Sequence, residues 1–111
     1  MGHAKSILVA YDGSDAGRRA LDAAAELIAY GSTLAVVGIQ TGRSSDPLAE
    51  ASRYLSGRHV FARYIDADGH PAETVLEAAA TLGADVIVVA GANGSLETVV
   101  RRAPCDVFVV R

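Results

Sequence analysis

Three stretches of this chain, residues 7–11, 34–39 and 86–90, are apolar at nearly every position. A strand with one face in water alternates apolar and polar residues. A continuous apolar run of this length instead fits a strand covered on both faces. Such strands belong to sheets with helices on either side, and helical patterns do separate the runs. Two further segments complete the set. Residues 60–66 are interrupted by Arg63 and end on Asp66, as an edge strand would be, whereas residues 107–110 are short and apolar.

The intervening helices are marked by their caps. Ser14 stands at an N-cap position, opening a helix expected to reach Tyr30 with Gly31 as its left-handed stop. Ala20, Leu21, Ala24, Leu27 and Ile28 form its apolar stripe, and Arg18, Asp22 and Glu26 recur on the opposite face at i,i+4 spacing. Asp46-Pro47 opens a second helix, with Gly57 expected just past its end. His70-Pro71 opens a third, which carries Val75, Leu76, Ala79 and Leu82 inward and stops at Gly83. Residues 95–102 suffice for a fourth of about two turns. Residues 21–27 (LDAAAEL) echo residues 76–82 (LEAAATL), which either duplication or the shared need to lie on a sheet would produce.

The order is therefore βαβαβαβαβ in one domain spanning residues 1–111, which implies a parallel sheet with right-handed crossovers. Placing the three fully apolar strands at the centre gives the order 3-2-1-4-5. The chain then reverses its direction of winding between the first and fourth strands, and ligands of open α/β sheets bind beyond the carboxyl ends of the strands at such a point. Asp12-Gly13-Ser14 follows the first strand and Gly91-Ala92-Asn93-Gly94-Ser95 the fourth. Two glycines three apart let backbone N–H groups approach an anion, and Ser95 opens a helix. An ordinary tight turn with a serine cap explains the same residues without a ligand. Asp12 has the chemistry to accept hydrogen bonds from ribose hydroxyls, or merely to order its own turn.

Several functional classes are disfavoured. A net charge of −3 argues against nucleic acid as a partner, and the basic doublets Arg18-Arg19 and Arg101-Arg102 fit solvated helix faces. Cys105 is the sole cysteine, so it has no internal disulfide partner, and it precedes an apolar strand as a small core residue would. His3, His59 and His70 lack metal-ligand spacing. Neither a Walker lysine motif nor a G-x-G-x-x-G fingerprint is present, and residues 13–17 (GSDAG) lack the spacing of a nucleophile elbow. With no secretory signal near residue 1 and no apolar run of membrane-spanning length, the expectation is a cytoplasmic protein.

Four segments in order carry a resemblance. Residues 7–14 (ILVAYDGS) with Arg18-Arg19-Ala20-Leu21, residues 69–73 (GHPAE), residues 83–89 (GADVIVV) and residues 103–110 (APCDVFVV) are together similar to the universal stress proteins. The resemblance covers nearly the whole chain and implies their three-layer α/β/α architecture, of the adenine nucleotide alpha hydrolase-like type. Nucleotide-binding members carry G-x2-G-x9-G-S/T after the fourth strand. Gly91 and Gly94 match the first pair, but Ser95 follows at once and no later glycine exists, so about ten residues of that loop are missing. Asp12 matches the ribose-side aspartate and Ile39 the adenine-contacting position. Asp12, Ile39, Gly91, Asn93, Gly94 and Ser95 are thus the candidate residues for an adenine nucleotide, ATP or AMP with Mg. The resemblance favours a non-enzymatic stress-response module whose ATP binding is weakened or lost and which acts through protein contacts. A nucleotide-binding switch is the alternative. It also implies a homodimer through the last strand, Val107, Phe108, Val109 and Val110, which as an apolar sheet edge would seek a partner.

Overall fold

A computed structural model describes residues 6–28, 32–39, 46–67, 70–90 and 94–110. Nine elements follow one another: β1 (Ser6–Tyr11), α1 (Asp15–Leu27), β2 (Thr33–Gly38), α2 (Pro47–Gly57), β3 (Arg63–Asp66), α3 (Pro71–Leu82), β4 (Val86–Ala90), α4 (Gly94–Arg102) and β5 (Asp106–Val110). All strands are parallel, in the order β3-β2-β1-β4-β5. The expected order therefore holds, with the apolar strands central and the Arg63 strand at an edge.

The alternation of side chains along each strand divides the core into two layers. Ile7, Val9 and Tyr11 of β1 pack with Ala20, Leu21 and Ala24 of α1 and with Ala51 and Leu55 of α2. Leu8 and Ala10 face the other way, toward Val75 and Ala79 of α3 and Val99 of α4. Small side chains make this close stacking possible, and among the described residues the one hydroxyl carried into the core, that of Tyr11, has a hydrogen-bond partner. Gly38 shows why one strand position must be bare. A Cβ there would lie 2.6 Å from Cγ of Leu48, so the glycine lets the first turn of α2 settle on the end of β2.

Helix ends depart from expectation in two places. α1 stops at Leu27 and Ile28 is already extended (φ −71°, ψ 130°), its N–H donating to Ala25 O; Tyr30 and Gly31 lie outside the described residues. The β-branched Ile28 leaves the helix while still packing on the α1–α2 layer. α2 runs through Gly57, and the left-handed residue that follows is His59 (φ 60°), not a glycine. Its N–H bonds Ser56 O and the Val60 N–H bonds Leu55 O, the paired closure of a Schellman turn. α3 closes identically, with Gly83 (φ 63°) in the special position as expected. On the wet side of α1 the charges pair otherwise than by i,i+4. Arg18 bonds Asp15, while Asp22 accepts hydrogen bonds from Tyr54 and Arg58, clasping α1 to α2.

Candidate functional site

The strand pairing itself makes the cleft. β1 pairs with β2 through all positions from Ser6 to Tyr11, and β4 with β5 from Val86 to Ala90. Between β1 and β4, pairing is confined to Ile7, Leu8 and Val9 against Val86, Ile87 and Val88. At the amino end the seam is pinned, since the Ser6 N–H donates to Asp85 Oδ2 (2.9 Å) and the Asp85 N–H to Ser6 O (2.8 Å). Beyond Val9 and Val88 the ladder stops, so the two strands part toward their carboxyl ends, and Asp12 follows β1 at that end.

The turn after β1 fixes that carboxylate. Gly13 has φ 85°, a left-handed conformation that glycine adopts without penalty. The turn brings Ser14 back so that Asp12 Oδ1 accepts from the Ser14 N–H (3.0 Å) and hydroxyl (2.5 Å). Ser14 Oγ in turn accepts from the Gly17 N–H (2.9 Å), capping α1 as expected. One serine thus starts the helix and orients the aspartate. A half-buried carboxylate held in this way can accept hydrogen bonds from the hydroxyls of a ligand in the gap.

Three supporting residues escaped the sequence reading. Gly17 lies against the turn so closely that a Cβ would come within 2.8 Å of Asp12 Oδ1 and 3.1 Å of Tyr11 Cδ1. Its signal was there to be read, because glycine inside a helix costs about 1 kcal/mol relative to alanine and so calls for a reason. Tyr11, 1% exposed, donates its hydroxyl to the Glu50 carboxylate of α2. Burial first, and then the hydrogen bond and charge of Glu50, push its phenol well above the ordinary range. It is the only aromatic residue in the three central strands, which marks it as unusual but does not name its partner.

The remaining candidates divide. The Ile39 N–H donates to Tyr11 O (2.8 Å), which places its backbone beside the cleft, while its side chain, 4% exposed, belongs to the α3–α4 core layer. Gly94 and Ser95 form the first turn of α4. Gly91 and Asn93 lie outside the described residues. Among the described residues no three His, Cys, Asp or Glu side chains gather as a metal site would require. Cys105 is half-buried, and burial with the charges of Asp106 and Asp85 raises its thiol pKa, as suits a packing residue and not a nucleophile. No described helix is long and apolar enough to cross a membrane.

No protein-family model matches the chain. A curated universal stress protein of Thermus aquaticus is 36% identical over 137 residues, covering 96% of this chain and 98% of that protein. Because that alignment is longer than the 111 residues of the chain, the relative carries segments that are lacking here. Among solved structures, a universal stress protein in complex with cAMP superimposes with a TM-score of 0.78 at 23% identity, covering 98% of each chain. The universal stress protein of Archaeoglobus fulgidus in complex with dAMP gives 0.76 at 19% identity over the full length of both. At those identities the two structures match this one in fold.

Proposed function

The chain belongs to the universal stress protein family, and from that premise we propose that it is a non-enzymatic stress-response module. It takes an adenosine monophosphate at the gap between β1 and β4 and acts through protein contacts as a homodimer. The observation that carries this reading is the parting of β1 and β4 beyond Val9 and Val88, with Asp12 held at the opening by Ser14. Family relatives of the same fold in complex with cAMP and dAMP support an adenine nucleotide as the ligand class.

A monophosphate is favoured over ATP by the fourth crossover. α4, nine residues long, starts after only residues 91–93 and is followed by only residues 103–105 before β5. A parallel crossover needs about a dozen residues merely to return. Of the fifteen residues between β4 and β5, only about three exceed that minimum, too few for a loop of N–H donors around three phosphates, whose charges would go uncompensated. For the dimer, the support is that β5 is an edge strand whose Phe108 and Val109 are 46% and 40% exposed, with Val100 of α4 also exposed.

Titration calorimetry with AMP, cAMP and Mg-ATP tests the site. AMP should bind with a submillimolar Kd, Mg-ATP at least about tenfold more weakly, and Asp12→Asn should weaken AMP about tenfold or more, through about 1–3 kcal/mol of lost hydrogen bonding. Mg-ATP binding as tight as AMP and lost in Gly94→Val would establish the alternative, an ATP-responsive switch. Phosphate release above a protein-free control, abolished by Asp12→Ala, would overturn the non-enzymatic reading.

A further inference from the structure

Tyr11 occupies a place where packing alone would be served by phenylalanine. It is 1% exposed within the α1–α2 layer, and a buried hydroxyl is costly unless something accepts from it. The acceptor is the Glu50 carboxylate, from the first turn of α2. Burial, and then the hydrogen bond and charge of Glu50, hold the phenol well above its ordinary range, so at neutral pH it is always a donor.

α2 has other attachments that keep it on the sheet. Leu48 settles on Gly38, Ala51 and Leu55 are buried in the same layer, and Asp22 of α1 accepts from Tyr54 and Arg58. What sets the Tyr11 contact apart is where it acts. Tyr11 is the last residue of β1, and Asp12 follows it. The Tyr11 backbone is fixed opposite Gly38 in the ladder, with its carbonyl accepting from the Ile39 N–H, and its hydroxyl is fixed by Glu50. Between those two anchors the ring passes the bare α-carbon of Gly17. A Cβ there would lie 2.8 Å from Asp12 Oδ1, 3.1 Å from Tyr11 Cδ1 and 3.3 Å from Ser14 Oγ. Ring, carboxylate and serine hydroxyl thus converge on one spot, and close packing passes a displacement of one to the others. Hydrogen bonds weaken steeply with misalignment, so a small tilt of the carboxylate matters.

We infer that Glu50 is a positioning residue for the nucleotide proposed above: reaching from α2 to the Tyr11 hydroxyl, it fixes the end of β1 and through it the Asp12 carboxylate in the pose that ribose hydroxyls require. The inference rests on that nucleotide reading. It adds a determinant of affinity on α2, a helix that supplies none of the residues expected to touch the ligand.

Calorimetry with AMP and with 2′,3′-dideoxyadenosine monophosphate, which lacks the ribose hydroxyls, tests it on the whole chain. Tyr11→Phe keeps the ring and removes only the donor, and Glu50→Leu removes only the acceptor. Each should weaken AMP about fivefold or more, and the two together no more than either alone, because both delete one bond. Glu50→Gln, whose amide oxygen can still accept from the phenol, should recover most of the affinity lost in Glu50→Leu. Neither Tyr11→Phe nor Glu50→Leu should weaken AMP further in an Asp12→Asn background, and the dideoxy nucleotide should bind wild type and Tyr11→Phe alike. Circular dichroism melting of each variant separates these effects from loss of fold. AMP that binds wild type and Tyr11→Phe equally would overturn the positioning role and leave the nucleotide reading standing. Equal losses for AMP and the dideoxy nucleotide would overturn it as well, by showing a brace with no bearing on Asp12. A wild type that binds no AMP would remove the nucleotide reading and this inference with it.

Discussion

At the scale of single residues, the turn after β1 is crowded for a purpose. Alanine at position 17 would gain about 1 kcal/mol in helix propensity. Its Cβ would also lie 2.8 Å from Asp12 Oδ1, an atom that cannot swing aside without breaking both bonds from Ser14. Overpacking of this kind costs about 1–3 kcal/mol, so the clash should outweigh the propensity. Gly17→Ala should therefore lower stability by about 1 kcal/mol in urea titrations and weaken AMP binding, whereas a propensity effect alone would stabilise. Tyr11 offers a second test. Its folded-state pKa is raised above the ordinary 10.0, so the unfolded chain loses that proton first as pH climbs. The stabilisation is complete below about pH 10 and drains away between that value and the higher folded one. Urea midpoints should thus fall more steeply from about pH 9 to about pH 11 in wild type than in Tyr11→Phe.

Among the elements, two helices end in the same Schellman closure with different residues at its left-handed position. Gly83 meets no steric penalty there, but His59 at φ 60° does, on the order of 1 kcal/mol. His59→Gly should raise the stability of the folded chain by about 0.5–1 kcal/mol, visible as a higher urea midpoint with an unchanged slope. The contrast also shows what the sequence could and could not disclose. Ser14, Pro47, Pro71 and Gly83 mark helix ends by their own local chemistry, and each was legible. The end of α2 is fixed by the depth at which Leu55 is buried, so the nearby Gly57 misled. In the same way Asp12 and Ser14 announced the cleft. The groups that brace it, Glu50 against Tyr11 and Leu48 over Gly38, come from a helix more than thirty residues away or from packing that no periodicity records.

For the whole molecule, the two sheet edges have opposite characters. β5 exposes the apolar Phe108 and Val109, whereas β3 exposes the charged Arg63 and Asp66. Light scattering at tens of micromolar should find about twice the 11.4 kDa chain mass, and Phe108→Asp should return it to the monomer by placing like charges across the interface. A monomeric wild type would remove the β5 interface. The seam between β1 and β4 has a consequence in time as well as in space. It joins residues 79 apart in sequence, while every other strand pair is far more local. Loop entropy makes such closure the slowest part of assembling the sheet. Until it closes, Ile7, Val9 and Val88 lie along unfinished strand margins with no neighbour, and these are the stretches of a newly made chain most exposed to capture by another.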